Sequence, residues 1–329
     1  MHKVAFLTVL VIILMTGCKK EIEPIITDNG IPVVKADSTY KVLQETNITY
    51  AEGLSHDSLN SANTSLVPLF MDSYVPENDL QNRPLLMLIH GGAFVGGSKQ
   101  QDAIVDMANY YASRGFVVFS IDYRLRDHIG TIPQEWIDAT SGGAPANLNQ
   151  IYAMYPAHRD AKAALRWIVA NADNYNINTD YITVGGGSAG AITSIGLGAS
   201  ELGDYKDEIS LSEDNTLSTT NLSQTYEVRT ILDFWGSNAS IEILELIYGY
   251  QRFDSNNPAL FIAHGNEDPT VPFSSAEDLK TIWETHENDF VFYPLEGMGH
   301  GPWGATLNGK SLSDLSFEFI VENQNLNVE

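Results

Sequence analysis

Along the chain, short unbroken apolar runs alternate with longer stretches in which apolar residues recur every three or four positions. The runs at 85–89, 116–121, 181–184, 259–263 and 290–293 have the length and composition of strands buried on both faces. Between the earlier ones, the segments 100–113, 158–171 and 191–200 carry helical spacing. This alternation predicts a mostly parallel central sheet with helices on both faces, preceded by a pair of strands at 42–49 and 66–72. In such a sheet, reactive groups gather beyond the carboxyl ends of the strands.

The segment just after each apolar run is therefore where the chemistry is expected. After 181–184 comes Gly186-Gly187-Ser188-Ala189-Gly190, a G-x-S-x-G turn that leads from a strand into a helix. Side chains at Gly186 and Gly190 would collide as the backbone lifts the serine hydroxyl above the sheet, so small neighbours are required. Ser188 is the candidate nucleophile. A serine hydroxyl is weak alone and needs a base, an acid to orient that base, and donors for the developing oxyanion. The run 259–263 breaks into His264-Gly-Asn-Glu-Asp268-Pro, where Asp268 fits the orienting acid. The run 290–293 leads to Gly299-His300-Gly301, a glycine-framed histidine that fits the base. The run 85–89 ends in His90-Gly91-Gly92-Ala93, a loop suited to aiming main-chain donors. The amides of Gly92, Ala93 and Ala189 are the expected oxyanion hole.

The chain order Ser188, Asp268, His300 is the one found in α/β-hydrolases. Together with Asp72-Ser-Tyr-Val-Pro76, Ser120-Ile-Asp-Tyr-Arg-Leu125 and Arg159-Asp-Ala-Lys-Ala-Ala-Leu-Arg-Trp-Ile168, these motifs give a chain that resembles the carboxylesterase and hormone-sensitive-lipase-like group, including bacterial feruloyl and acetyl-xylan esterases. The resemblance implies the α/β-hydrolase fold, with a mostly parallel central sheet. It also implies serine carboxylic-ester hydrolysis through an acyl-enzyme, on a small-molecule or polysaccharide-linked ester, with no cofactor. Ala93 departs from the third glycine carried by many relatives, but its main-chain amide survives the change. A prolyl-oligopeptidase-like peptidase shares fold and triad order, yet its elbow usually bears an aromatic where this chain has Ala189, and its propeller domain has no room here. A non-catalytic surface lipoprotein that binds a glycan or a partner is the third reading; against it, no member of the triad is missing.

The remaining titratable groups read as structural. His90 sits before the serine and is expected to brace its loop, and His264 to hydrogen-bond locally at its strand end. His56, His128, His158 and His286 lack a glycine frame or carboxylate context. Glu267 adjoins Asp268, but the resemblance implies an acid directly before the proline, as in Asp268-Pro-Thr-Val-Pro272; Asp233 and Asp254 are weaker rivals. No cluster has metal-ligand spacing.

Length and composition bound the rest. With 329 residues and 43% hydrophobic content, the chain can bury a large core as one catalytic domain, expected over 39–329. At the amino end, Met1-His-Lys3, an apolar run over 4–14 and Met15-Thr-Gly-Cys18 read as a signal peptide over 1–17. Its ending resembles a bacterial lipobox with Cys18, the only cysteine, as the lipid attachment point. An exported lipoprotein, periplasmic or at the cell surface and held to the membrane by its lipid alone, is the expectation, with 18–38 as a flexible tether. The formal net charge of −24 argues against nucleic acid as a partner. Oligomeric state is not legible.

Two insertions stand out as candidate specificity elements. Residues 126–156 are too long for a simple connection and are expected to wall the pocket. Residues 201–227, polar and acidic, read as a surface excursion, with a lid as the alternative. Trp235 and Trp303 fit a pocket lining and a core position equally well.

Overall fold

The computed structural model describes residues 30–143 and 145–329. The elements keep the expected alternation: β1 (Val33–Val34), β2 (Val42–His56), β3 (Thr64–Pro76), β4 (Arg83–Ile89), α1 (Asp102–Ala112), β5 (Val117–Ile121), α2 (Gln134–Thr140), α3 (Pro145–Ala170), α4 (Ala172–Tyr175), β6 (Ile177–Gly187), α5 (Ala189–Ala199), β7 (Thr230–Phe234), α6 (Ala239–Tyr248), β8 (Ala259–Gly265), α7 (Phe273–Thr285), β9 (Phe290–Leu295), β10 (Thr306–Leu307), β11 (Lys310–Ser311), α8 (Leu312–Asn323) and β12 (Asn327–Val328). Eight strands form the central sheet in the order β2-β3-β5-β4-β6-β7-β8-β9. Its first two pairings, β2 with β3 and β3 with β5, are antiparallel, and all others are parallel.

The unbroken apolar runs are explained by burial on two sides. Along β4, Leu85, Met87 and Ile89 enter one core with α3, α5, α6 and α7, while Leu86 and Leu88 enter a second core with α1 and α8. Strand order reverses between β4 and β6, because the chain leaves β4 for β5 on one side and returns to β6 on the other. The crevice above such a reversal is where open α/β sheets place their ligands. The Gly91–Ala93 segment comes directly after β4 and Ser188 directly after β6, so the two flank that crevice.

Two expectations are corrected and a third is refined. The tether does not run free to residue 38: β1 pairs with β12, Val34 is fully buried, and the Lys35 amide donates to the Arg114 carbonyl at 2.8 Å. The dipeptide Val33-Val34 is apolar enough to dock but too short to register as a strand by pattern. The signal peptide and Cys18 lie outside the described residues. Residues 201–227 lie largely at the surface, as expected, but are anchored to the body of the protein. Asp204, Tyr205, Asp214 and Leu217 are buried, and α3 holds the segment through Arg159 on Asp214, Lys162 on the Asp204 carbonyl (3.0 Å) and Arg166 on the Thr220 carbonyl (2.8 Å). Arg252 grips the Asp204 carboxylate with two hydrogen bonds. Finally, α3 begins well before residue 158 and runs through Pro156, so much of the 126–156 insertion is helix, and none of it lines the cavity at Ser188.

Candidate active site

The elbow is built by close approach. A Cβ on Gly186 would lie 2.1 Å from the Ile89 carbonyl oxygen, and one on Gly190 would lie 2.0 Å from the same atom. Only glycine fits at either position, which lets β6 and α5 press against β4. Ser188 takes φ 56° and ψ −119°, a conformation that costs a non-glycine residue of the order of 1–3 kcal/mol and that recurs at functional sites. The turn is held by the Ser188 amide, which donates to the Phe234 carbonyl at 2.9 Å.

Three residues from three different strand ends meet here. Ser188 Oγ lies 3.0 Å from His300 Nε2, and His300 Nδ1 lies 2.7 Å from Asp268 Oδ2. An ionised carboxylate only accepts, so Nδ1 carries the proton and Nε2 is left to accept from the serine hydroxyl. Burial pushes the Asp268 carboxyl up, but the hydrogen bonds from His300 and from the Thr270 and Val271 amides outweigh it and hold the group below the ordinary carboxylate range. Those two amides both bind Oδ1, at 2.7 and 3.0 Å, leaving Oδ2 for the imidazole. Glu267 is exposed, and it is Asp268 that the His300 imidazole bonds.

The loop after β4 is fixed at several points. The His90 ring stacks on Tyr123 at 4.3 Å, the Tyr123 hydroxyl donates to the His90 carbonyl, and the Arg126 amide donates to the Phe94 carbonyl at 2.7 Å. Lys99 binds Asp122 through both its amide and its ammonium. His90 thus braces the loop, as expected. Ala93 and Phe94 take φ 55° and 59°, so the loop is locally strained where glycine would be relaxed. Gly92 and Ala93 line one cavity with Ser188, and their amides donate to no acceptor among the described residues. The Ala189 amide, first in α5, is likewise unbonded and lies at the positive end of the helix dipole.

The cavity has a volume of about 260 Å³ and is also lined by Trp235, Trp303, Thr270 and Gln101. Both tryptophans therefore belong to the site. Of two further neighbours, one extends its expected role and the other was missed by sequence reasoning. His264 hydrogen-bonds locally, as expected: it approaches Asp268 with Nε2 3.3 Å from Oδ2 while donating to the Val271 carbonyl at 2.9 Å, and so also holds the acid loop. Gln101 carries no sequence signal at all. The other histidines are elsewhere: His158 is buried in α3 on the Met154 carbonyl, with its pKa lowered by burial to about 4, and His56 bonds Ser61 and Thr131. Asp233 is buried under the site, and Asp254 caps an exposed turn. Among the described residues no group of His, Cys, Asp and Glu could hold a metal ion.

A family model, BD-FAE, matches residues 71–141 and 148–247, more than half of the chain and spanning both the β4 loop and the elbow. The chain belongs to the BD-FAE family. It is also 25% identical to Esterase LipC of Mycobacterium tuberculosis over 238 residues, 66% of this chain and 53% of that one. With Carboxylesterase 1C of Rattus norvegicus it shares 30% identity over 159 residues, 47% of this chain and 26% of that one. The chain thus spans about half or less of the length of these curated relatives. Among solved structures, Thermogutta terrifontis esterase 2 phosphorylated by paraoxon superposes with a TM-score of 0.59 at 21% identity, covering 85% of this chain and 94% of that one. A truncated carbohydrate esterase from gut microbiota gives 0.55 at 22% identity, over 89% and 99%. These likenesses, with the sheet order above, establish the α/β-hydrolase fold expected from the sequence.

Proposed function

We propose that this BD-FAE family member is a serine carboxylic-ester hydrolase acting on small-molecule or polysaccharide-linked esters. The observation that carries the reading is the continuous hydrogen-bonded line from Asp268 through His300 to Ser188, ending in a cavity faced by unbonded main-chain amides. Ser188 Oγ attacks the ester carbonyl carbon as its proton passes to His300 Nε2, and the imidazolium is stabilised by Asp268. The carbonyl oxygen becomes an oxyanion held by the amides of Gly92, Ala93 and Ala189. When the tetrahedral species collapses, the C–O bond to the alcohol breaks and His300 returns the proton to the leaving oxygen. Water, deprotonated by the same imidazole, then attacks the acyl-enzyme, which releases the acid and restores Ser188. None of these steps requires a cofactor.

The test is initial hydrolysis of p-nitrophenyl acetate and methyl ferulate by the wild type and Ser188→Ala, with covalent labelling by a fluorophosphonate. Turnover and labelling that vanish in the variant support the reading. Turnover of a proline-peptide anilide alone would instead favour a peptidase, and silence with no labelling would favour a binding protein.

For location, we propose an exported lipoprotein attached through Cys18, on the strength of the charged, apolar and Gly-Cys pattern at the amino end. No helix among the described residues is long and apolar enough to cross a membrane. Cys18→Ala should move the protein from the membrane to the soluble fraction; unchanged membrane association would sink the lipid-anchor reading.

A further inference from the structure

The chain after β7 makes an unusual turn into the site. Trp235 is almost fully buried and sits at φ 48°, a region that bulky side chains avoid. Its amide donates to the Ala263 carbonyl at 2.9 Å, while the next amide, that of Gly236, donates to Asp233 Oδ1 at 2.7 Å. A Cβ on Gly236 would lie 2.5 Å from that same Oδ1 and 2.6 Å from Ala191 Cβ, so the turn is wedged against α5. Asp233 is fully buried and spends one oxygen on this turn, while its Oδ2 has no partner among the described residues. A buried carboxyl with one oxygen unpartnered is costly, and its single hydrogen bond here goes to the turn that aims Trp235.

The turn delivers the indole onto the elbow. Trp235 meets Trp303 edge to face with centroids 4.7 Å apart, and Trp303 is backed by Phe234 at 5.1 Å. Both indoles rest on the residue before the nucleophile: a Cβ on Gly187 would lie 2.6 Å from Trp303 Cζ2 and 3.2 Å from Trp235 Nε1. The leaving alcohol must depart past His300, which protonates it, towards the exposed Gly301. An acyl group bonded to Ser188 Oγ would then lie against the two tryptophans, which line the same cavity. The whole cavity, about 260 Å³, falls below the roughly 300–1,000 Å³ usual for ligand sites.

We propose that Trp235, aimed by Asp233 and backed by Trp303, sets the acyl length that the site accepts, closing it to acyl groups much longer than acetyl. Trp235 is a specificity-determining residue and Asp233 a positioning residue. The proposal rests on the ester-hydrolase reading and narrows it.

The experiment compares kcat/KM on p-nitrophenyl acetate, butyrate and octanoate for the wild type, Trp235→Ala, Trp303→Ala, Asp233→Ala and Asp233→Asn, with fluorophosphonate labelling of Ser188 as the measure of an intact site. Wild type should favour acetate over octanoate by at least about 100-fold, and either tryptophan variant should shrink that ratio by about tenfold or more. Asp233→Ala should broaden acceptance in the same direction. Asp233→Asn, which keeps the oxygen for the Gly236 amide, should restore the wild-type ratio, an outcome that a general packing defect would not give. A wild type that cleaves octanoate as well as acetate, or labelled tryptophan variants with an unchanged ratio, would overturn the proposal while leaving ester hydrolysis standing. If one tryptophan variant fails to label, the other carries the comparison. Absence of both hydrolysis and labelling in the wild type would overturn the underlying reading and the proposal with it.

Discussion

His264 Nε2 lies 3.3 Å from Asp268 Oδ2, four residues further along the chain. The same nitrogen donates to the Val271 carbonyl, so the ring spans the loop that carries the acid and fixes both its ends. Burial lowers the pKa of His264, keeping it neutral at ordinary pH and leaving the negative charge of Asp268 for His300. Replacing His264 with alanine should therefore loosen the acid rather than remove it. We expect kcat to fall about tenfold with little change in KM, as for a small misplacement of a reacting group. Asp268→Ala, by contrast, should cost roughly 10⁴ in kcat. Equal losses in the two variants would show that His264 does more than hold the loop.

The approach of Gly190 to Ile89 gives a second expectation, about folding. A methyl group at 190 would sit 2.0 Å from a carbonyl oxygen in β4, and relief would require β4 to leave the sheet or α5 to lift away from the elbow. Gly190→Ala should fail to accumulate as folded protein, or should melt far below the wild type. Gly304→Ala is the control, because nothing lies within 4 Å of the Cβ built there. Comparable melting temperatures for the two variants would refute this account of the elbow.

Much of this architecture was legible because buried parallel strands are written as unbroken apolar runs, as at Leu85–Ile89 in β4 or Leu260–Ala263 in β8, and because the elbow has a glycine spacing imposed by sterics. The triad candidates were legible for the same reason: each comes just after such a run. Other features escaped the pattern for physical reasons. Residues 201–227 look solvated because their buried groups are polar, and polar burial makes sense only once the partners are known; those partners, Arg159, Lys162 and Arg166, lie on α3 some way upstream. A tryptophan at φ 48° runs against every local preference, so the turn at Trp235 could not be read before its bracing by Asp233 was seen.

The clamp on the acidic insertion leads to a third expectation. Asp214 is fully buried and accepts from Arg159, Thr216 and Thr131. Burial raises its pKa, but the guanidinium and hydroxyl donors more than reverse this and bring it down to about 2. Removing it leaves Arg159 charged and without its partner in the interior, which costs about 3–5 kcal/mol for a buried pair. Asp214→Ala should lower stability by that order in denaturant titrations, and protease cleavage should then appear first within 201–227. A stability within about 0.5 kcal/mol of wild type would mean that the ion pair contributes nothing to holding the segment.

Asp233 sets the last expectation, on the pH dependence of stability. Burial raises its pKa from the usual carboxylate range to about 7, opposed only by the Gly236 amide, and no charged neighbour contributes. The folded protein therefore keeps a proton that the unfolded chain releases above roughly pH 4. Between about pH 4 and 7 the unfolded state binds fewer protons, so this group makes stability fall as pH rises, by a few kcal/mol in all, and the loss is complete above pH 7. Asp233→Asn cannot titrate and keeps the acceptor for Gly236. Its stability relative to the wild type should thus climb from pH 4.5 to pH 7 and then level off, measured by urea denaturation at each pH. Parallel curves for the two proteins would place the Asp233 pKa near that of an ordinary carboxylate and remove the cost assigned to burying it.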